Sequence, residues 1–288
     1  MSTLWQDLRY KMLQSGSKLN LLIGINVLAF LVINIPATIL GLAGNDFLKG
    51  FTQTYLALPA HLPQLASHFW TPLTYMFMHA DVFHILFNML WLFWMGQLFE
   101  EYLGKNRLVS VYLMGGLAGA ALYILAFNTL PVFAGALPFI TVVGASACVM
   151  AIVVATATLL PDYSIYMMFI GPVKLKWLAL FYVVIDFLGI LGPNAGGEIA
   201  HLGGALLGFV YVKQLKSGND WNRSMDSVLS QRPKVSVASK NRSYTSNTTR
   251  PREEEIDRIL DKISQSGYES LNKQEKETLF RASNNNEG

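Results

Sequence analysis

Long apolar blocks separated by short polar breaks dominate the first three quarters of the chain, at residues 21–43, 72–98, 108–127, 141–160, 173–191 and 197–215. A helix needs about 20 apolar residues to cross the hydrocarbon core of a bilayer, so the pattern predicts six transmembrane helices, the last short and rich in glycine. The first block is too long for a signal-peptide core and lacks a small-x-small cleavage site after it, so it is expected to stay as the first span. Beyond residue 216 the pattern changes. Residues 216–250 are rich in serine, asparagine, lysine and arginine and read as a flexible linker. Ile256, Ile259, Leu260 and Ile263 then recur at helical spacing, Gly267 breaks the run, and Asn272 with Glu275 forms a capping-box pattern ahead of Leu279 and Phe280. A small helical hairpin is predicted there. Near the start, Trp5, Leu8 and Met12 fall on one side of a short segment, which reads either as an interfacial helix or as an unstructured leader.

The predicted organisation is an interfacial N-terminal segment at 1–20, a membrane domain at 21–215, a linker at 216–250 and a cytoplasmic hairpin at 251–288. The fold class is an all-α membrane protein, a six-transmembrane-helix bundle with a short helical tail.

Composition agrees, since 52% of residues are hydrophobic and only 14% charged. Charge adds orientation. Arg9, Lys11 and Lys18 precede the first block, Lys105 and Arg107 follow the second, Lys174 and Lys176 open the fifth, and Lys213 and Lys216 close the sixth. On the opposite side only Lys49 appears, in the loop 44–71. Positive residues are retained in the cytoplasm, which predicts both termini inside a bacterial-type plasma membrane and blocks two, four and six running inward from the outer face. The scattered basic tail is no nucleic-acid patch, and no nucleotide-binding loop is present. A lone Cys148 excludes an intrachain disulfide and reads as a small packing residue.

Orientation turns four polar residues into candidates, because His79, His84, Ser146 and His201 all fall in the outer half of their blocks. An ionisable side chain in hydrocarbon is costly and marks a functional site by default. Ser146 and His201 are predicted about 6 to 8 Å below the starts of their helices. Around them Gly144, Ala200, Gly204 and Gly208 supply a stripe of small residues that lets two backbones approach, as a hydroxyl–imidazole hydrogen bond between helices requires. Packing alone, with Ser146 bonded to its own helix, is the bland alternative. His84 and Asn88 share a helix face and are placed to donate to an oxyanion together with the Ser146 backbone N–H. His79 and His84 are five residues apart, too far around a helix to hold zinc together. No metal site and no cofactor are expected. Asp186, a carboxylate in the fifth block, reads either as a third catalytic partner or proton-relay group or as a structural or loop-contact residue; the second reading is preferred and Asp186 is left out of the site.

These residues resemble the rhomboid intramembrane serine proteases, with a histidine and an asparagine on the second span, Gly-x-Ser on the fourth (Gly144, Ser146) and Ala-His-x-x-Gly on the sixth (Ala200, His201, Gly204). The likeness covers residues 21–215 and includes Gly96, Glu100, Gly104 and Arg107. It implies Ser146 as nucleophile, His201 as general base and then acid, and His84, Asn88 and the Ser146 amide as oxyanion donors, with no third acidic member. It also implies transmembrane protein substrates that enter from the lipid bilayer, and a loop at 44–71 bordering the site. Ala147 and Met150 depart from the pattern, where a glycine and an aromatic residue are usual. The competing expectations are a silent rhomboid-like protein that escorts membrane helices and a small-solute transporter. The hairpin is expected to dock on the membrane domain, dimerise or bind a cytoplasmic partner.

Overall fold

The computed structural model describes residues 16–137, 139–167, 171–221 and 253–284. The predicted N-terminal interfacial helix and nearly all of the predicted linker lie outside the described residues. Two compact units divide the chain, residues 1–231 and 232–288.

The first unit is mostly helical. Its long helices are α1 (Lys18–Leu42), α2 (Val82–Leu103), α3 (Lys105–Thr129), α4 (Ser146–Leu159), α5 (Leu175–Gly189) and α6 (Ala195–Lys216). Among the described residues α1, α2, α3 and α6 are long and apolar enough to cross a membrane. α4 has 14 residues and α5 has 15. At about 1.5 Å per residue each falls short of a bilayer core of about 30 Å. Both were expected to be longer, and the difference has a physical cause. Residues 141–144 and 173–174 fall inside the hydropathy blocks at 141–160 and 173–191, yet they precede the helices as non-helical chain. Thr141–Val142 is a strand, and Ser164–Met167 pairs with Gly171–Lys174 in an antiparallel hairpin. Hydropathy measures transfer into apolar surroundings and is blind to backbone conformation.

Polar contacts gather at one end of the bundle. The Ser17 hydroxyl and the Lys18 N–H both donate to Glu100, at 2.8 and 2.9 Å, joining the start of α1 to the end of α2. Lys216 at the end of α6 donates to the Thr158 carbonyl near the end of α4, at 2.9 Å. Lys176 and Lys174 both bond Asp162 and hold its carboxyl down to about 2. Helices α2, α4 and α6 therefore all run toward this end, and their N-terminal turns lie at the other. Arg107 pairs with Asp220 at 2.6 Å, and the Trp221 ring packs edge-on against Tyr211. The first unit thus keeps its contacts for several residues past the boundary expected at 215.

The core lies where α3, α4 and α6 meet. Ala147, Cys148, Ala151, Ile152 and Ala155 of α4 are almost wholly buried. The reason is close backbone approach, because a Cβ on Gly204 would run into the Ala147 carbonyl and one on Gly208 into the Ala151 carbonyl. A Cβ on Gly116 would lie 2.6 Å from the Cys148 Sγ, so the thiol fills the space that glycine leaves. Conversely α1 and α5 expose Leu28, Val32, Ile39, Phe187 and Leu188, an outward apolar surface suited to lipid.

The second unit holds α7 (Glu253–Ser266) and α8 (Lys273–Asn284), and Gly267, at φ 77°, ends α7. The Asn272 side chain accepts from the Glu275 N–H at 2.9 Å while the Glu275 carboxylate accepts from the Asn272 N–H at 2.8 Å. Those two bonds form a reciprocal cap. Lys262 reaches from α7 to the same carboxylate at 2.9 Å.

Candidate active site

Ser146 is the first residue of α4, with Ala145 as N-cap. The sequence reading set it deeper inside its helix; the extended lead brings the helix N-terminus to the serine itself. Non-helical backbone at membrane depth must have its polar groups satisfied by protein. Here Leu58 pairs with Val142 and Pro59 with Thr141. The Ala60 N–H donates to the Ile140 carbonyl at 3.3 Å, and the Gly144 N–H to the Tyr75 carbonyl at 2.9 Å. The loop predicted to border the site is what supplies this edge. Trp70, which donates its indole N–H to the Tyr55 carbonyl at 2.7 Å, and the short helices Phe47–Phe51 and Leu62–Ser67 shape the rest of that loop. A residue at the first helical position has no intrahelical acceptor for its N–H, so the Ser146 amide is a donor beside its own hydroxyl.

Two further donors come from α2. Asp81 caps it by accepting from the His84 N–H at 2.9 Å, which sets His84 in the first turn. The Ala80 N–H points to His84 Nδ1 at 3.4 Å, so Nδ1 is the acceptor and Nε2 carries the proton. A Cβ on Gly144 would sit 2.8 Å from that Nε2 and 3.3 Å from the Ser146 Oγ. Gly144 also has φ 137°, a conformation that favours glycine. Asn88 donates one amide N–H to the His84 carbonyl at 2.8 Å, and its second N–H is left for the cavity it lines.

His201 stands in the second turn of α6, six residues after its start at Ala195. A Cβ on Gly119 of α3 would meet the Ala200 carbonyl at 2.6 Å and the Ala147 Cβ at 2.7 Å, so the neighbours of His201 and Ser146 touch the same glycine. Ser146, His201, His84, Asn88, Met150 and Asp186 all line one cavity of about 610 Å³. The structure therefore brings the four polar site candidates together, with Ala200, Gly204 and Gly208 packed behind them. The Ser146 hydroxyl and the His201 ring face this space without a hydrogen bond between them.

The sequence reading missed one contact. Asp186, near the end of α5, lies 3.0 Å through Oδ1 from His201 Nδ1. It is 7% exposed, and among the described residues its Oδ2 has no hydrogen-bond partner. The available signal was the carboxylate itself, alone in an apolar block. His79 moves the other way. It precedes the Asp81 cap instead of sitting in a helix, its ring packs edge-on to His84 with centroids 5.2 Å apart, and it lines a different cavity.

Residues 66–217 match the Rhomboid domain, more than half of the chain. This multi-pass membrane protein belongs to the rhomboid family. It is similar to RHOMBOID-like protein 12, mitochondrial, of Arabidopsis thaliana, 32% identical over an alignment of 157 residues that covers 51% of this chain and 47% of that protein. The chain thus spans about half the length of that curated relative. Residues 244–285, which include α7 and α8, match a family of unknown function, DUF6576.

Proposed function

We propose that this chain is an intramembrane serine endopeptidase that hydrolyses peptide bonds in or near transmembrane segments of other membrane proteins. The observation that carries the reading is the shared cavity, in which a serine at a helix N-terminus, two histidines and an asparagine converge from three helices. In this reading α4 and α5 complete a six-span bundle, with the non-helical lead at 141–145 carrying the chain into α4. Both termini lie on the side of the basic loops, as in a bacterial-type plasma membrane, and the serine opens toward the opposite face. A relative is named for plant mitochondria, so fractionation of the expressing cells is the test of which membrane holds the chain.

Ser146 Oγ attacks the scissile carbonyl and passes its proton to His201 Nε2. The oxyanion accepts from the Ser146 N–H, His84 Nε2–H and the second Asn88 N–H, donors fixed before substrate arrives. His201 then protonates the leaving amine, and water released onto the acyl-serine completes hydrolysis by the same route. A helical substrate hides its carbonyls, so segments weakened by glycine or proline are favoured.

Cleavage of a co-expressed single-span reporter tests this. Ser146→Ala and His201→Ala are each expected to abolish cutting while the protein still inserts, and a fluorophosphonate should label the wild type but not Ser146→Ala. An unlabelled wild type that still binds membrane helices would favour the escort reading. Undiminished cutting by either variant would reject the dyad.

A further inference from the structure

We propose that Asp186 is the positioning residue for His201, a third member that turns the serine–histidine pair into a chain of three. The proposal rests on the protease reading and deepens it. An ionised carboxylate can only accept, so the 3.0 Å contact puts the proton of a neutral His201 on Nδ1 and leaves Nε2 as the basic nitrogen. That is the tautomer that a base for Ser146 needs. In the reaction Ser146 gives its proton to Nε2, the imidazolium forms beside the Asp186 carboxylate, and the proton leaves from Nε2 to the departing amine.

Three features favour this over a mere tether between helices. Asp186 sits on a helix that exposes Phe181, Phe187 and Leu188, where lipid packing gives no use for an acid. It lines the same cavity as Ser146 and His201, which places its carboxylate beside the reacting groups. Among the described residues no aromatic ring stacks on His201, and the neighbouring Met150 is a flexible thioether, so the hydrogen bond is what orients the imidazole. The other titratable groups around the pair are Glu198 on the helix of His201, Tyr182 on α5, and His84 with Asp81 across the cavity, and among the described residues none of them bonds the imidazole.

The test uses the full chain in proteoliposomes with a single-span reporter, and compares wild type, Asp186→Asn, Asp186→Glu and Ser146→Ala. Asp186→Asn should lower kcat by at least about tenfold with KM nearly unchanged, because it acts on the base and not on binding. The rate of fluorophosphonate labelling at Ser146 should fall in step, and Asp186→Glu should recover part of both. On the unmutated chain, the imidazole nitrogen shifts of His201 should report a protonated Nδ1 and a bare Nε2. Wild-type kcat and labelling in Asp186→Asn, or the opposite tautomer, overturns the role of Asp186 and leaves the protease reading standing. A wild type no more active than Ser146→Ala overturns both.

Discussion

At Gly144 a single hydrogen in place of a methyl holds the site open. Its φ of 137° disfavours any side chain, and an added Cβ would lie 2.8 Å from His84 Nε2, the nitrogen assigned to the oxyanion. Gly144→Ala is therefore expected to displace the His84 ring and lower kcat by about tenfold to a thousandfold, the range for losing one preorganised donor. Reporter cleavage beside fluorophosphonate labelling checks it, since labelled protein that no longer cuts separates a lost donor from a lost fold. Unchanged turnover would remove His84 Nε2 from the oxyanion assignment. Ser146, His201, His84 and Asn88 were legible in the sequence because each sits in a local pattern, polar among apolar neighbours at a fixed offset from a glycine, an alanine or another polar residue. Asp186 was legible only as an anomaly. Its partner lies fifteen positions away across the turn between α5 and α6, and no periodicity within one helix encodes a contact between two.

Among the elements, α4 and α6 show what the small residues are for. Without a hydrophobic force between helices in lipid, association depends on close van der Waals packing, and Gly204 and Gly208 put the α6 backbone against the carbonyls of Ala147 and Ala151. Gly204→Val should push the helices apart and cost about 1–3 kcal/mol, as overpacking does. Because Ser146 and His201 flank that contact, activity should fall together with the thermal midpoint measured in detergent. Leu206→Val, at a side chain 61% exposed on the same helix, is the control and should change neither. A stable, active Gly204→Val protein would show that the contact has slack. The small-residue stripe was visible in the sequence, since repetition every four positions is a helical signature. What hydropathy could not deliver was where α4 and α5 begin. Thr141 and Val142 continue the apolar block, and their pairing with Pro59 and Leu58, about eighty residues earlier in the chain, makes them extended.

Taken whole, the molecule separates charge from chemistry within its first unit and sets a second unit after it. Ion pairs and lysine contacts at the ends of α2, α4 and α6 brace one end, through Glu100, Thr158, Asp162 and Asp220. Every group assigned to the reaction comes from the N-terminal turns of those helices or the far end of α5. The reaction as derived needs nothing from residues 232–288, a unit with its own cap at Asn272 and Glu275 and its own ion pair from Lys262. Removing it is expected to leave reporter cleavage within about twofold, as for a domain that keeps its own core. The cut belongs after Trp221 and not after Leu215, because the shorter chain would also lose the 2.6 Å pair between Asp220 and Arg107 and the ring contact of Trp221 with Tyr211. Comparing the two truncations separates the effects: a chain ending at 215 that loses thermal stability while the one ending at 221 does not would assign that loss to the contacts of Lys216, Asp220 and Trp221. Full loss of cleavage in the 221 form, with the protein still inserted, would instead make the second unit a working part of the protease and move the search for its role to the substrate.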